Sequence, residues 1–135
     1  MRLTQDQLHQ LDRLRRRHHL SLILLHGSHL TGKLHPDSDL DIAALCQRKT
    51  RLNLLSLITS LNRIFKTNRV DLTNLTQADP LLIYQVTQHS QLLSGDDHLY
   101  TQLQLKALHV YQDYLPYLRL EQQLVEARTK SYVTA

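Results

Sequence analysis

Apolar residues recur along this chain in two rhythms: every third or fourth position, and in short unbroken runs. The helical rhythm opens the chain. Thr4 and Gln7 form a Thr-x-x-Gln capping pattern, and Leu8, Leu11 and Leu14 then repeat at helical spacing, which predicts a helix over residues 4–17. The run Ser21-Leu22-Ile23-Leu24-Leu25-His26 stops at Gly27 and is too short for a helix of ordinary length, so it predicts a buried strand. A short helix or turn is expected from Ser28 to about Lys33, and His35-Pro36-Asp37-Ser38 has turn chemistry. Residues 39–45 read as a second strand. Leu52, Leu55, Leu57 or Ile58, Leu61, Ile64 and Phe65 trace one face of a longer helix, and residues 69–75 alternate as a third strand.

Asp79-Pro80 is a strong helix start, with a capping carboxylate followed by proline at the first turn; that helix should reach about residue 89. Gln91-Leu92-Leu93 is expected as a small edge strand ended by Ser94-Gly95. Residues 96–128 are helical in pattern, with a bend or break at Pro116, and residues 130–135 should fray. The expected fold is α/β (α+β): a small mixed sheet backed by helices, with a C-terminal helical segment. We expect one domain over residues 1–135, with a catalytic core at 1–95 and a helical segment at 96–135.

Composition narrows the picture modestly. The 135 residues are 41% hydrophobic and 21% charged, enough for a real core. One cysteine, Cys46, excludes an internal disulfide framework and reads as a small core or edge residue. No apolar stretch reaches bilayer length, and the first residues lack a signal-peptide core, so a cytoplasmic, membrane-free protein is expected. The net charge of +4 selects no particular partner. Arg13, Arg15, Arg16 and Arg17 are either a solvated helix end suited to the helix dipole or a binding patch. No recognised nucleic-acid motif is present, and direct nucleic-acid binding is not expected.

The chemistry concentrates in one place. Asp39 and Asp41, two apart on a strand, should leave on one face while Leu40 and Ile42 enter the core. Paired carboxylates repel unless a cation lies between them, and magnesium commonly uses one or two carboxylates with phosphate oxygens and water. Upstream, Gly27-Ser28 ends a strand and starts a turn, a backbone suited to cradling phosphate. Asp71, on the third strand, would be the third carboxylate if that strand lies beside the second. Three carboxylates can hold two magnesium ions, or Asp71 could accept a hydroxyl proton. A calcium loop starting at Asp37 is excluded, because Ile42 replaces the required glycine and Arg48 the bidentate glutamate. His26 reads either as a nucleotide contact or as strand-end packing. His29 and His35 read as solvated loop residues, and the nine histidines show no zinc spacing. His18 and His19 are expected to be exposed. Tyr111, Tyr114, Tyr117 and Leu118 form either a packed helix face or a face for a protein partner.

Gly27-Ser28, ten residues, then Asp39-Leu40-Asp41 resembles the signature of the DNA polymerase β-type nucleotidyltransferase superfamily. The stretch LLHGSHLTGKLHPDSDLDIAAL, with VDLTNL and DPLLIYQVTQHSQLLSGDD further on, is similar to the minimal nucleotidyltransferases, the MntA-type antitoxins of HEPN–MNT toxin–antitoxin pairs. The resemblance implies that Gly27 and Ser28 contact the triphosphate, and that Asp39, Asp41 and Asp71 hold Mg2+, with two ions expected. It implies ATP as co-substrate, a HEPN RNase toxin as partner in a hetero-oligomer, and transfer of AMP to a toxin tyrosine, which neutralises the toxin. The family usually places arginine directly after Gly-Ser and often again two residues later; this chain has His29 and Thr31, and Lys33 is the candidate replacement cation. Two other readings stand beside this one. The chain could neutralise its partner by occlusion without catalysis, or modify a small polyol such as an aminoglycoside. No added acceptor-binding domain is expected here, which speaks against the last.

Overall fold

The computed structural model describes residues 2–27, 39–48 and 50–134. The turn expected at residues 28–38 therefore lies outside the described residues. Helix α1 (Gln5–Arg17) begins on the expected capping box: Thr4 accepts from the Gln7 amide at 3.1 Å, and the Gln7 side chain accepts from the Thr4 amide at 3.0 Å. Strand β1 (Leu20–His26) follows a turn in which His19 takes a left-handed backbone. Strand β2 (Leu40–Cys46), helix α2 (Leu54–Phe65) and strand β3 (Val70–Asn74) form a parallel crossover unit, with α2 supplying the length that such a return needs. A short 3-10 turn (Leu75–Gln77) leads to helix α3 (Pro80–Gln88), where the Asp79 carboxylate accepts from the Leu82 amide at 2.9 Å, as its sequence predicts. Strand β4 (Ser90–Gly95) and helix α4 (Asp97–Thr134) complete the described chain.

The four strands lie in the order β3-β2-β1-β4; β1 is antiparallel to β2 and β4, and β2 is parallel to β3. The mixed sheet backed by helices is thus the fold that the sequence pattern predicts. Alternation sorts the strand residues into two cores. Ile23, Leu25, Leu40, Ile42 and Ala44 join Leu11, Leu14, Leu57, Leu61 and Ile64 from α1 and α2. Leu22, Leu24 and Ala43 face the other way, against Leu75, Val86 and residues of α3 and α4, including Ile83, Leu99 and Leu103. Cys46 is a buried free thiol in the first core. Serine 94, expected to end the edge strand, is instead buried within β4, where its hydroxyl meets Asp12 and Arg15 of α1.

Several local expectations change. Leu55 is 77% exposed, because α2 turns Leu57, Leu61 and Ile64 inward and packs as a narrower stripe. Helix α4 is not broken at Pro116. That proline is exposed, as is Gln112 one turn earlier, so water can satisfy the carbonyl that loses its amide partner. The helix also runs through residues 130–134 instead of fraying, in a stretch rich in good helix formers such as Glu126, Ala127, Arg128 and Lys130. His19 is exposed as expected, but His18 is half-buried, with Nε2 shut away from solvent and without a hydrogen-bond partner among the described residues.

Two outcomes follow for stability. Leu61 is fully buried, so Leu61→Ala should cost about 2–5 kcal/mol in chemical denaturation. Burial, followed by the positive charges of Arg17 and His19, pushes the His18 imidazole below its ordinary value of 6.5. As pH falls, the unfolded chain therefore takes up this proton first. The contribution of His18 is full above pH 6.5 and declines as pH drops toward the lower folded value. Thermal melts above and below pH 6.5 should show this loss, and His18→Gln should flatten part of the slope.

Candidate active site

The site is a row across one end of the sheet. Pairing sets His26 of β1 opposite Asp41 of β2 and also opposite Ser90 of β4, while Asp41 sits beside Asp71 of β3. Registered neighbours point to the same face, so Ser90, His26, Asp41 and Asp71 form one line on the side covered by α3 and α4. Each owes its place to the same alternation that sends Leu25, Ile42 and Leu72 to the opposite face.

Gly27 closes β1 against this row. Its φ is +84°, a left-handed conformation that L side chains rarely adopt. A Cβ on Gly27 would stand 2.3 Å from Asp41 Oδ2, so any side chain here would have to push the carboxylate aside. The glycine thus brings its own backbone next to an acidic group.

His26 occupies the middle of the row. Burial pushes its imidazole below the ordinary value of 6.5, and the nearby Asp41 and Asp71 carboxylates act against that push. Its Nε2 is buried and has no hydrogen-bond partner among the described residues. At neutral pH this side chain is an uncharged imidazole next to two acids, so it does not neutralise them. At the other end of the row, the Ser90 hydroxyl shares a hydrogen bond with the Tyr100 hydroxyl of α4 and also donates to the Thr87 carbonyl at 3.1 Å.

The structure thus brings Gly27, Asp41 and Asp71 together. Asp39 is exposed and precedes the first paired residue of β2, so strand alternation does not fix its side. Ser28 and Lys33 lie outside the described residues. Among the described residues, no group of three His, Cys, Asp or Glu side chains has the arrangement of a metal site. Two adjacent carboxylates at a strand end nevertheless suit magnesium, which fills its remaining positions with phosphate and water oxygens. The row contains two groups that the sequence pattern did not mark. Ser90 falls one residue before the expected edge strand, and Tyr100 reaches the row from the opposite helix. His26, ambiguous in sequence, is placed by its position one residue before Gly27 and by its register with Asp41.

Comparison with known proteins agrees with this geometry. The sequence profile of the family described as polymerase beta, nucleotidyltransferase matches residues 10–99, well over half of the chain. The chain therefore belongs to the polymerase β-type nucleotidyltransferase family. Solved structures give the same fold. A chain of a toxin–antitoxin complex crystallised with AMP-PNP is 28% identical, with 91% of this chain and 98% of that chain covered and a TM-score of 0.68. A chain from the complex of tri-AMPylated Shewanella oneidensis HEPN toxin with MNT antitoxin is 26% identical, covering 95% of this chain and 99% of that chain at a TM-score of 0.64. A chain of an MntA–HepT toxin–antitoxin complex is also 26% identical, covering 94% and 99% at a TM-score of 0.64. A comparison with curated proteins gave no significant match. No helix among the described residues is long and apolar enough to cross a membrane.

Gly27→Ala should be damaging in two ways. It should cost about 1–3 kcal/mol of stability through backbone strain, read by denaturation. It should also force the Asp41 carboxylate aside, so nucleotidyl transfer should fall further than the lost stability alone explains.

Proposed function

We propose that this chain transfers AMP from ATP to a tyrosine hydroxyl of a HEPN-family toxin and thereby neutralises it. The register of Asp41 with Asp71 beside the Gly27 turn carries this reading, on a chain of the nucleotidyltransferase family. The similarity to toxin–antitoxin complexes, one with AMP-PNP and one with a tri-AMPylated HEPN toxin, supports the nucleotide and the acceptor.

In this reading Asp39, Asp41 and Asp71 hold Mg2+, and the backbone after Gly27, with Ser28 and Lys33, receives the triphosphate. When bound, the metal draws charge off the phosphate oxygens and lowers the pKa of the attacking hydroxyl. Asp71 lies on the outer strand of the row and takes the proton of the acceptor hydroxyl. The acceptor oxygen forms a bond to the α-phosphorus as the bond to the β-phosphate oxygen breaks, and pyrophosphate leaves with that electron pair. Asp41, fixed between β1 and β3 and pressed against Gly27, would hold the cation in one position and so leave the α-phosphate little room to drift. Neutral His26 leaves both acids available to a cation.

The test uses the purified chain, its HEPN-family partner, magnesium and ATP labelled at the α-phosphate. Label should appear on the partner. Asp41→Asn should reduce transfer more than about 100-fold, because replacing groups that merely support a metal ligand already costs about 10–100-fold. A partner that gains no label, or that is neutralised equally well by Asp41→Asn, would favour occlusion without chemistry and overturn the catalytic reading.

A further inference from the structure

Helix α4 has two unlike halves. Its first part covers the sheet through Leu99, Tyr100 and Leu103, and Tyr111 stacks on Tyr84 of α3 with ring centroids 3.9 Å apart. From Arg119 to Tyr132 every residue is exposed. Fourteen residues of solvated helix gain nothing from tertiary packing, and an isolated helix of that length is marginal in water. Yet this half displays large apolar groups, Leu124 and Val125 each 60% exposed and Tyr132 83%, and Tyr117 just before it is 69% exposed.

These groups are ordered. Tyr117, Glu121, Leu124, Val125, Arg128 and Tyr132 follow one another at steps of four, three, one, three and four residues, which places them on one stripe of a helix. The series reads the same in both directions about the midpoint between Leu124 and Val125. In an antiparallel pair of two such helices, with a two-fold axis at that midpoint, Tyr117 faces Tyr132 of the second copy, Glu121 faces Arg128, and Leu124 faces Val125. Each contact occurs twice. Apolar groups fill the centre, opposite charges flank them, and aromatic rings close the ends. A self-complementary patch of this kind is what a two-fold interface requires.

The stripe also continues into the body of the protein. A cavity of about 400 Å³, lined by Asp79, Pro80, Leu81, Tyr111, Tyr114, Leu118 and Glu121, opens along the adjoining face of the same helix. Glu121 belongs to both, so a helix lying on the stripe runs toward this groove.

We infer that the occupant of this face is a second copy of the chain, paired antiparallel through the distal half of α4. Charge complementarity argues for this partner, since Glu121 and Arg128 pair twice across the axis while the apolar residues meet at its centre. The pairing uses no residue of the carboxylate row and requires neither nucleotide nor toxin, so it stands or falls separately from the proposed reaction.

Sedimentation velocity on the full chain alone tests it. The chain should run as a dimer. Glu121→Arg or Arg128→Glu alone places like charges opposite each other twice and should weaken the dimer about tenfold or more. The double variant Glu121→Arg/Arg128→Glu restores opposite charges across the axis and should regain wild-type association. Both positions are exposed, and circular dichroism of all three variants should show unchanged helix content. A wild-type chain that stays monomeric at its highest soluble concentration overturns the inference. So does a double variant no better associated than the singles. If the chain is monomeric and the single variants instead weaken its complex with the HEPN-family partner, the face belongs to that partner and the two-fold pairing is wrong.

Discussion

A one-residue slip between β2 and β3 would send Asp71 to the opposite face of the sheet from Asp41, because side chains alternate strictly along a strand. Several contacts oppose that slip. The Leu40 amide donates to the Arg69 carbonyl at 2.8 Å where the pairing begins, and the Val70 amide donates to the Asn62 side chain of α2 at 3.2 Å. Val70 and Leu72 pack against the core under α1 and α2, and Leu75, just beyond the strand, is buried on the other side. Two cores therefore clamp one strand from opposite faces. The position of a carboxylate is decided by the burial of its hydrocarbon neighbours, and the chemistry is a by-product of packing.

The same constraint explains the glycine. β1 reaches Asp41 from the other side and must end there, since the His26–Asp41 pair is the last of the β1–β2 ladder. The Gly27 backbone then passes close by a carboxylate oxygen. A side chain there would displace the Asp41 carboxylate, and the left-handed backbone would be strained for any L residue. Two separate pressures, steric and conformational, select glycine at position 27.

Much of this was legible in the sequence. The capping patterns at Thr4 and Asp79 fixed two helix starts, because local hydrogen bonds alone define such ends. The strand alternation around Asp41 and Asp71 was readable for a similar reason: the buried partners Leu40, Ile42 and Leu72 are near neighbours in sequence. Features that depend on distant contacts were hidden. His18 looked exposed because nothing adjacent predicts its burial. Tyr111 and Tyr117 looked alike, yet one stacks on Tyr84 and the other lies in solvent, a distinction set by where α3 ends its cover. Ser90 and Tyr100 meet only because β4 and α4 fold back on each other. Pro116 misled because the rule that proline breaks helices assumes a carbonyl with nowhere to turn, and at an exposed position water supplies the missing partner.

The two sides of the sheet are insulated unequally. Among the described residues, thirteen buried side chains seal the face under α1 and α2, while five form the buried cluster on the face that bears the carboxylates. Local opening costs least where the least apolar surface is re-exposed. The protein should therefore breathe on its chemical side, α3 and α4 lifting from the strands while the opposite layer stays shut. A hinge of that kind would widen a cleft above the acids without disturbing the ladder that aligns them.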